Sequence, residues 1–277
     1  MNKTKHDDAP TLGSALGILA ARECRLLQRA LAMRKKRQEG IHQTRKSCRR
    51  LRCLLRFLPT GEPTDALDHA LKQLARSFSP LRDAYVAVRS ARLLVTSHEI
   101  QTATDIIKTF ESYSDHLLGD ALHDDPHWRH RRAQAHHVVT ACSALRWEDV
   151  RPSATKKTLK RATRKMKKAK KDAVALRTTA AHHRWRRRAR MVRYQLELLR
   201  KARRMADMKK RRIKLYGEQA NHLATITDQL GWRQDFQVFV KTVELLPDSA
   251  DVSALRKSLK AKSTDWSTSK PPCAPTH

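Results

Sequence analysis

Apolar positions recur at helical spacing along almost the whole chain. Leu51, Leu54, Leu55 and Leu58 share one helical face, and so do Val192, Leu196 and Leu199. Strand-like alternation is nearly absent. Breaks are few: Glu39-Gly40, Pro59 to Pro63, Pro80, Gly119, Asp124 to Pro126, Arg151-Pro152, Gly217, Gly231 and Pro247-Asp248. The pattern predicts long helices joined by short turns, an all-α chain built of helical bundles. No apolar run approaches the roughly 20 residues needed to cross a bilayer. The run Leu12 to Ala20 is signal-like in length, but Arg22, Glu23 and Arg25 follow it directly, so it reads as a first amphipathic helix.

Composition narrows the class. The 277 residues hold 40% apolar side chains, which argues against disorder, and only 7 Gly and 10 Pro, which argues against an all-β chain. Against 59 Lys and Arg stand 27 Asp and Glu, a formal net charge of +32. Self-repulsion on that scale calls for an anionic partner. Cys24, Cys48, Cys53, Cys142 and Cys273 are scattered, with no CxxC pair. They predict neither a disulfide framework nor a thiolate zinc site, but reduced thiols in the cytoplasm.

An internal repeat divides that charge. Residues 42–55 read HQTRKSCRRLRCLL and residues 183–196 read HRWRRRARMVRYQL, each placing a base three, seven and ten residues after a histidine. Downstream, FSPLRDAYV (78–86) aligns with LGWRQDFQV (230–238), so Asp83 and Asp235 hold matching places, each expected in a helix just after a break. At 100° per residue, His42, Arg45, Arg49, Arg52 and Arg56 fall within an arc of roughly 80°, a cationic row about 20 Å long. The second row is His183, Arg186, Arg190 and Arg193, ending at Glu197, and Lys46 and Arg187 flank the two. Like charges in register repel, so an ordinary solvated face would mix signs. A line of guanidinium forks suits phosphates at regular intervals.

Other stretches suggest other chemistries. Lys156 to Lys171 holds ten cations and no acid, and Arg200 to Lys214 is again base-rich; both read as diffuse electrostatic fields. Six histidines fall between His116 and His137, and His127 and His130 could share a helical face and ligate a metal, but Arg129, Arg131 and Arg132 oppose a dication there. Cys48 and Cys53 sit beside arginines yet have no partner base. No nucleophile elbow, phosphate loop or dinucleotide fingerprint is present, so neither catalysis nor a cofactor is expected. Nucleic acid remains a secondary partner, since sequence-blind binding needs only cationic surface, although aromatics make up only 5%. Binding to an anionic lipid surface ranks third, because the apolar face it wants opposite the bases is needed for the core, and membrane insertion is not expected.

Two copies of H-x-x-R-x-x-x-[R/K]-x-x-R, each followed by an aspartate-bearing block, resemble the CHAD family, the conserved histidine α-helical domain. The likeness spans roughly residues 10–246. It implies one domain of two pseudo-symmetric antiparallel four-helix bundles enclosing a basic groove or pore, and binding of inorganic polyphosphate, often on polyphosphate granules in the cytoplasm. It carries over to His42, Arg45, Arg49, Arg52, His183, Arg186, Arg190, Arg193 and Tyr194 as binding residues, and to Asp83 and Asp235 as organising acids. Two positions depart from the family pattern: Tyr85 stands where a second acid is usual, and Gln234 precedes Asp235 where Arg82 precedes Asp83. The triphosphate-hydrolysing CYTH domain often fused to this family has no counterpart in the chain. The expected organisation is an N-terminal extension (1–9), a first repeat (10–125), a connecting segment (126–152), a second repeat (153–261) and a flexible C-terminal tail (262–277).

Overall fold

The computed structural model describes residues 9–96 and 104–266, and no strand occurs among them. Ten α-helices follow in order: α1 (Leu12–Ala32), α2 (Arg37–Leu55), α3 (Glu62–Ser77), α4 (Ser79–Thr96), α5 (Thr104–Asp124), α6 (Arg129–Ser143), α7 (Pro152–Leu176), α8 (Thr179–Met205), α9 (Lys210–Val243) and α10 (Ala250–Trp266). Two 3₁₀ turns, Pro126–Trp128 and Trp147–Asp149, flank α6. Local chemistry sets several ends. Thr11 caps α1 by accepting from the Ser14 amide at 3.1 Å, and Pro152 opens α7, where its missing N–H costs nothing. The expected connector is therefore largely helical, as α6, and α10 ends at Trp266. Residues 267–277 of the expected tail, and residues 1–8, lie outside the described residues.

Two compact units form, and each draws on both repeats. The first gathers residues 9–76 and 130–227; the second gathers residues 77–129 and 228–266, apart from 97–103. The division falls at the last residue of α3 in the first repeat and inside α9 in the second.

In the first unit α1 pairs with α2, α7 pairs with α8, and α8 packs on both α1 and α2. Leu16, Leu27, Leu51, Leu54 and Leu196 are fully buried there, so the apolar stripe read from the spacing is the core-facing one. Trp147 closes the outer side of α1 and donates its indole N–H to the Cys142 carbonyl at 3.1 Å. Two glycines of α1 admit it: a Cβ on Gly13 would stand 2.3 Å from the Trp147 carbonyl oxygen, and one on Gly17 3.0 Å from the Trp147 Cβ. The second unit has its own core of Ala87, Leu94, Phe110, Phe239, Val243 and Leu255. Phe110 stacks on Phe239 at 5.2 Å, and Phe78 meets the edge of Trp128 at 5.3 Å.

Four of the expected breaks are not breaks. Gly40 lies inside α2, Gly119 inside α5, and Gly217 and Gly231 inside α9. Gly40 serves close approach, since a Cβ there would lie 2.6 Å from the Ala30 carbonyl oxygen. Gly217 leaves room for the Arg200 guanidinium, which would meet a Cβ at 3.2 Å. Nothing in the structure explains Gly119. Because Gly231 does not interrupt α9, Asp235 lies far inside a 34-residue helix, whereas Asp83 lies near the start of α4. Among the described residues no helix is long and apolar enough to cross a membrane.

The glycine contacts separate two substitutions. Gly13→Ala should cost about 2 kcal/mol and lower the thermal midpoint by about 5 °C. Gly119→Ala, in open space, should raise stability by about 0.5 kcal/mol through helix propensity. Circular dichroism melts of the two variants check the contrast.

Candidate functional site

Both cationic rows lie in the first unit, one on α2 and one on α8. On α2, burial of Leu51, Leu54 and Leu55 turns the row away from the core. His42 is exposed, while Lys46 and Arg49 are partly covered. Arg45 donates to the Ala75 carbonyl in the last turn of α3, where the helix dipole favours a cation. Arg52 grips Asp68 of α3 with two parallel hydrogen bonds of 2.9 and 3.0 Å, and Arg56 reaches the same carboxylate at 3.2 Å.

The α8 row is built alike. Arg186 is only 9% exposed and donates from Nε to the Thr227 carbonyl at 3.4 Å. Arg193 donates to Glu197 at 2.9 Å and to the Thr227 hydroxyl at 3.1 Å. His183 and Arg190 are half-buried and Arg187 is exposed. Arg45 and Arg186 each stand three residues after their histidine, and Ala75 and Thr227 each stand eight residues before their aspartate. The repeat is thus also a structural one: the matching arginine donates to the matching backbone carbonyl in both halves. The carboxylates are not matched. Asp68 comes from a neighbouring helix, whereas Glu197 comes from the row's own helix and aligns with Arg56.

Arg50, which the spacing left out of the rows, joins the halves within this unit. It is 9% exposed and lies 3.3 Å from Glu23 of α1 and 3.5 Å from Glu197 of α8. Tyr194 packs beneath it, with the guanidinium carbon 5.8 Å from the ring centroid. Ser47 donates to Glu23 at 3.3 Å. Tyr194, named by resemblance as a binding residue, thus supports a buried cation here.

Asp83 and Asp235 lie in the second unit, and both hold Arg82, at 2.9 and 2.6 Å. Burial works against the Arg82 charge, but Asp235 and Asp83 outweigh it and hold its pKa above the ordinary value. Asp68 grips Arg52 and Arg56 of the first row, and Glu197 grips Arg193 of the second. Arg82 had one visible signal, its lack of a counterpart at Gln234. Asp68 follows Arg52 at a distance suited to an antiparallel neighbour helix, and Glu23 is a lone acid on an otherwise apolar face.

The remaining candidates fall elsewhere. His127 does not share a helical face with His130: it sits before α6 in the 3₁₀ turn with φ of 55°. Among the described residues no group of three His, Cys, Asp or Glu side chains is placed to hold a metal ion. Burial pushes Cys48 and Cys53 up to about 12, overriding the neighbouring arginines. The hydrogen bond that Cys24 shares with Cys142, with burial, also raises Cys24. Of the base-rich stretch Arg200 to Lys214, Arg203 is buried against the Tyr216 ring at 5.9 Å.

The sequence model of the CHAD domain matches residues 18–244. Among solved structures, the crystal structure of the CHAD domain from the plant Ricinus communis is similar, with a TM-score of 0.65 and 19% identity over 95% of this chain and 91% of that one. No curated protein sequence matches the chain.

Two outcomes test the site's construction. Arg50→Ala leaves Glu23 buried without its cation and should cost about 3 kcal/mol, read as a shift in the urea midpoint. The thiols set a pH dependence. A thiol held above its ordinary 9.0 stabilises the fold fully below pH 9, and that stability is lost as pH rises toward 12. Above pH 9 each thiol should cost about 1.4 kcal/mol per pH unit. Cys48→Ala combined with Cys53→Ala should therefore lose less stability than the wild type between neutral and strongly alkaline urea titrations.

Proposed function

The chain belongs to the CHAD-domain family, and from that premise we propose that it binds inorganic polyphosphate, without catalysis, through the two rows on α2 and α8. One observation carries the reading: repeat-equivalent arginines, Arg45 and Arg186, are anchored on repeat-equivalent carbonyls. Anchored arginines hold each row extended before a ligand arrives, so little rotamer entropy is lost on binding. Members three and four residues apart stand about 5 Å apart along the helix, which suits a polymer with a charge on every unit.

The reading divides the residues into two roles. His42, Lys46, Arg49, Arg56, His183, Arg187 and Arg190 contact phosphate. Arg45, Arg52, Arg186 and Arg193 position the rows, with Asp68, Glu197 and Tyr194 behind them. Asp83 and Asp235 organise Arg82. The rows line a basic groove that a polymer threads, in a cytoplasmic protein seated on polyphosphate granules. No cofactor takes part.

Binding should strengthen with chain length and weaken steeply with salt, because each phosphate engaged releases counterions. Arg49→Ala with Arg190→Ala should weaken long-chain polyphosphate binding more than tenfold in a fluorescence titration while helicity stays unchanged. Orthophosphate should not compete. Undiminished affinity in that variant, or displacement of polyphosphate by single-stranded DNA of equal charge at physiological salt, would overturn the reading.

A further inference from the structure

The repeat contains a pair of matching helices that have diverged completely. Counted from the paired histidines, α1 corresponds to α7, and Gly13 and Gly17 correspond to Ala154 and Thr158. α1 buries eleven residues and is covered by Trp147. α7 buries only Thr155, Ala169 and Ala173, and its packing partner is α8. Among the described residues the covering segment and the glycines that admit it belong to one half alone. On α7 that outer face is occupied by cations.

All ten cations between Lys156 and Lys171 are exposed, and the first acid on the helix is Asp172. At 100° per residue they spread over about 220°, filling the side opposite the buried alanines. Lys156, Lys160, Lys167 and Lys170 form one flank, and Arg161, Lys165 and Lys168 the other. Lys157, Arg164 and Lys171 run between them. This differs in kind from the rows on α2 and α8. Those are narrow and arginine-rich, and Arg45, Arg52, Arg186 and Arg193 in them are anchored by carbonyls and carboxylates. The α7 face is broad, convex and mostly lysine, and lysine ammoniums act as point charges without a fork geometry.

We propose that the α7 face is a second polyanion surface, which docks duplex nucleic acid by its phosphate backbones without reading sequence. A single polymer chain needs one row of cations. Two cationic flanks on an α-helix about 10–12 Å across match the two backbones bordering a major groove about 12 Å wide. At 25 residues α7 is about 37 Å long, enough to follow roughly one turn of duplex. Single strands are disfavoured because the arc presents no aromatic platform; Trp185 of α8 is half-buried beneath Lys170, 5.8 Å from its ring centroid. A lipid surface is disfavoured because the arc carries no apolar row, and exposed Val174 and Leu176 lie beyond the last cation.

The test replaces Lys157, Lys160, Arg161, Arg164, Lys165 and Lys168 with Gln, which keeps helix propensity. A companion variant converts the four lysines to Arg. Fluorescence anisotropy follows a duplex of about 20 base pairs across a salt series, with long-chain polyphosphate measured in parallel. The Gln variant should bind duplex at least tenfold more weakly, with a salt slope smaller by up to about 5 and polyphosphate affinity unchanged. The Arg variant should bind duplex like the wild type, whatever the sequence. Arg49→Ala with Arg190→Ala should leave duplex binding intact, so the two surfaces fail separately. Full duplex affinity in the Gln variant would overturn the proposal. So would equal loss in the α2/α8 variant, or displacement of duplex by phosphatidylglycerol vesicles at matched charge.

Discussion

A helical chain that buries guanidinium groups while holding fewer than half as many acids as bases must share its acceptors, and the arrangement of the first unit follows from that scarcity. Asp68 serves Arg52 and Arg56, and Glu197 serves Arg50 and Arg193. Backbone carbonyls and a hydroxyl accept as well, at Ala75 and Thr227. A charge-assisted hydrogen bond to a carbonyl contributes about 1.5–3 kcal/mol when it replaces water, and the carbonyl itself brings no counter-charge. Such a bond fixes an arginine without neutralising it. A protein whose task is to attract anions gains both order and field from the same contact.

The helical period was the most legible feature of the sequence, because it is a one-dimensional signal. It placed α2 and α8, chose their buried faces correctly at Leu51, Leu54, Val192, Leu196 and Leu199, and aligned Arg45 with Arg186. Partners were less legible because they come from other helices at separations set by packing. Glu23 lies 27 residues before Arg50, and Glu197 lies 147 residues after it. Glycine is ambiguous for a related reason. The residue marks a turn when φ must be positive and a close approach when a neighbour needs its side-chain volume. Gly40 and Gly217 are of the second kind, and only the position of Ala30 and Arg200 distinguishes them from turns.

Duplication with divergence explains why the halves share a plan but not their parts. The arginine-to-carbonyl contact is common to both, whereas the supporting carboxylate moved from a neighbouring helix to the row's own helix. The joint between α3 and α4 has become continuous helix in α9, although Thr227 keeps its role as acceptor. Among the described residues the cover over α1 has no counterpart over α7. What is constant is the orientation of arginines, and what has drifted is the scaffold around them, as expected when the side chains rather than the connections are under constraint.

The placement of Lys170 over Trp185 has an optical consequence. An ammonium above one face of an indole biases the charge that shifts across the ring on excitation, and so tunes the emission colour. Any anion that draws Lys170 away removes that bias from a half-buried chromophore. Trp128 and Trp147, both sealed in cores, and the partly buried Trp232 would add a background to that signal. The chain therefore carries its own spectroscopic gauge for the occupancy of one particular helix, with no dye attached.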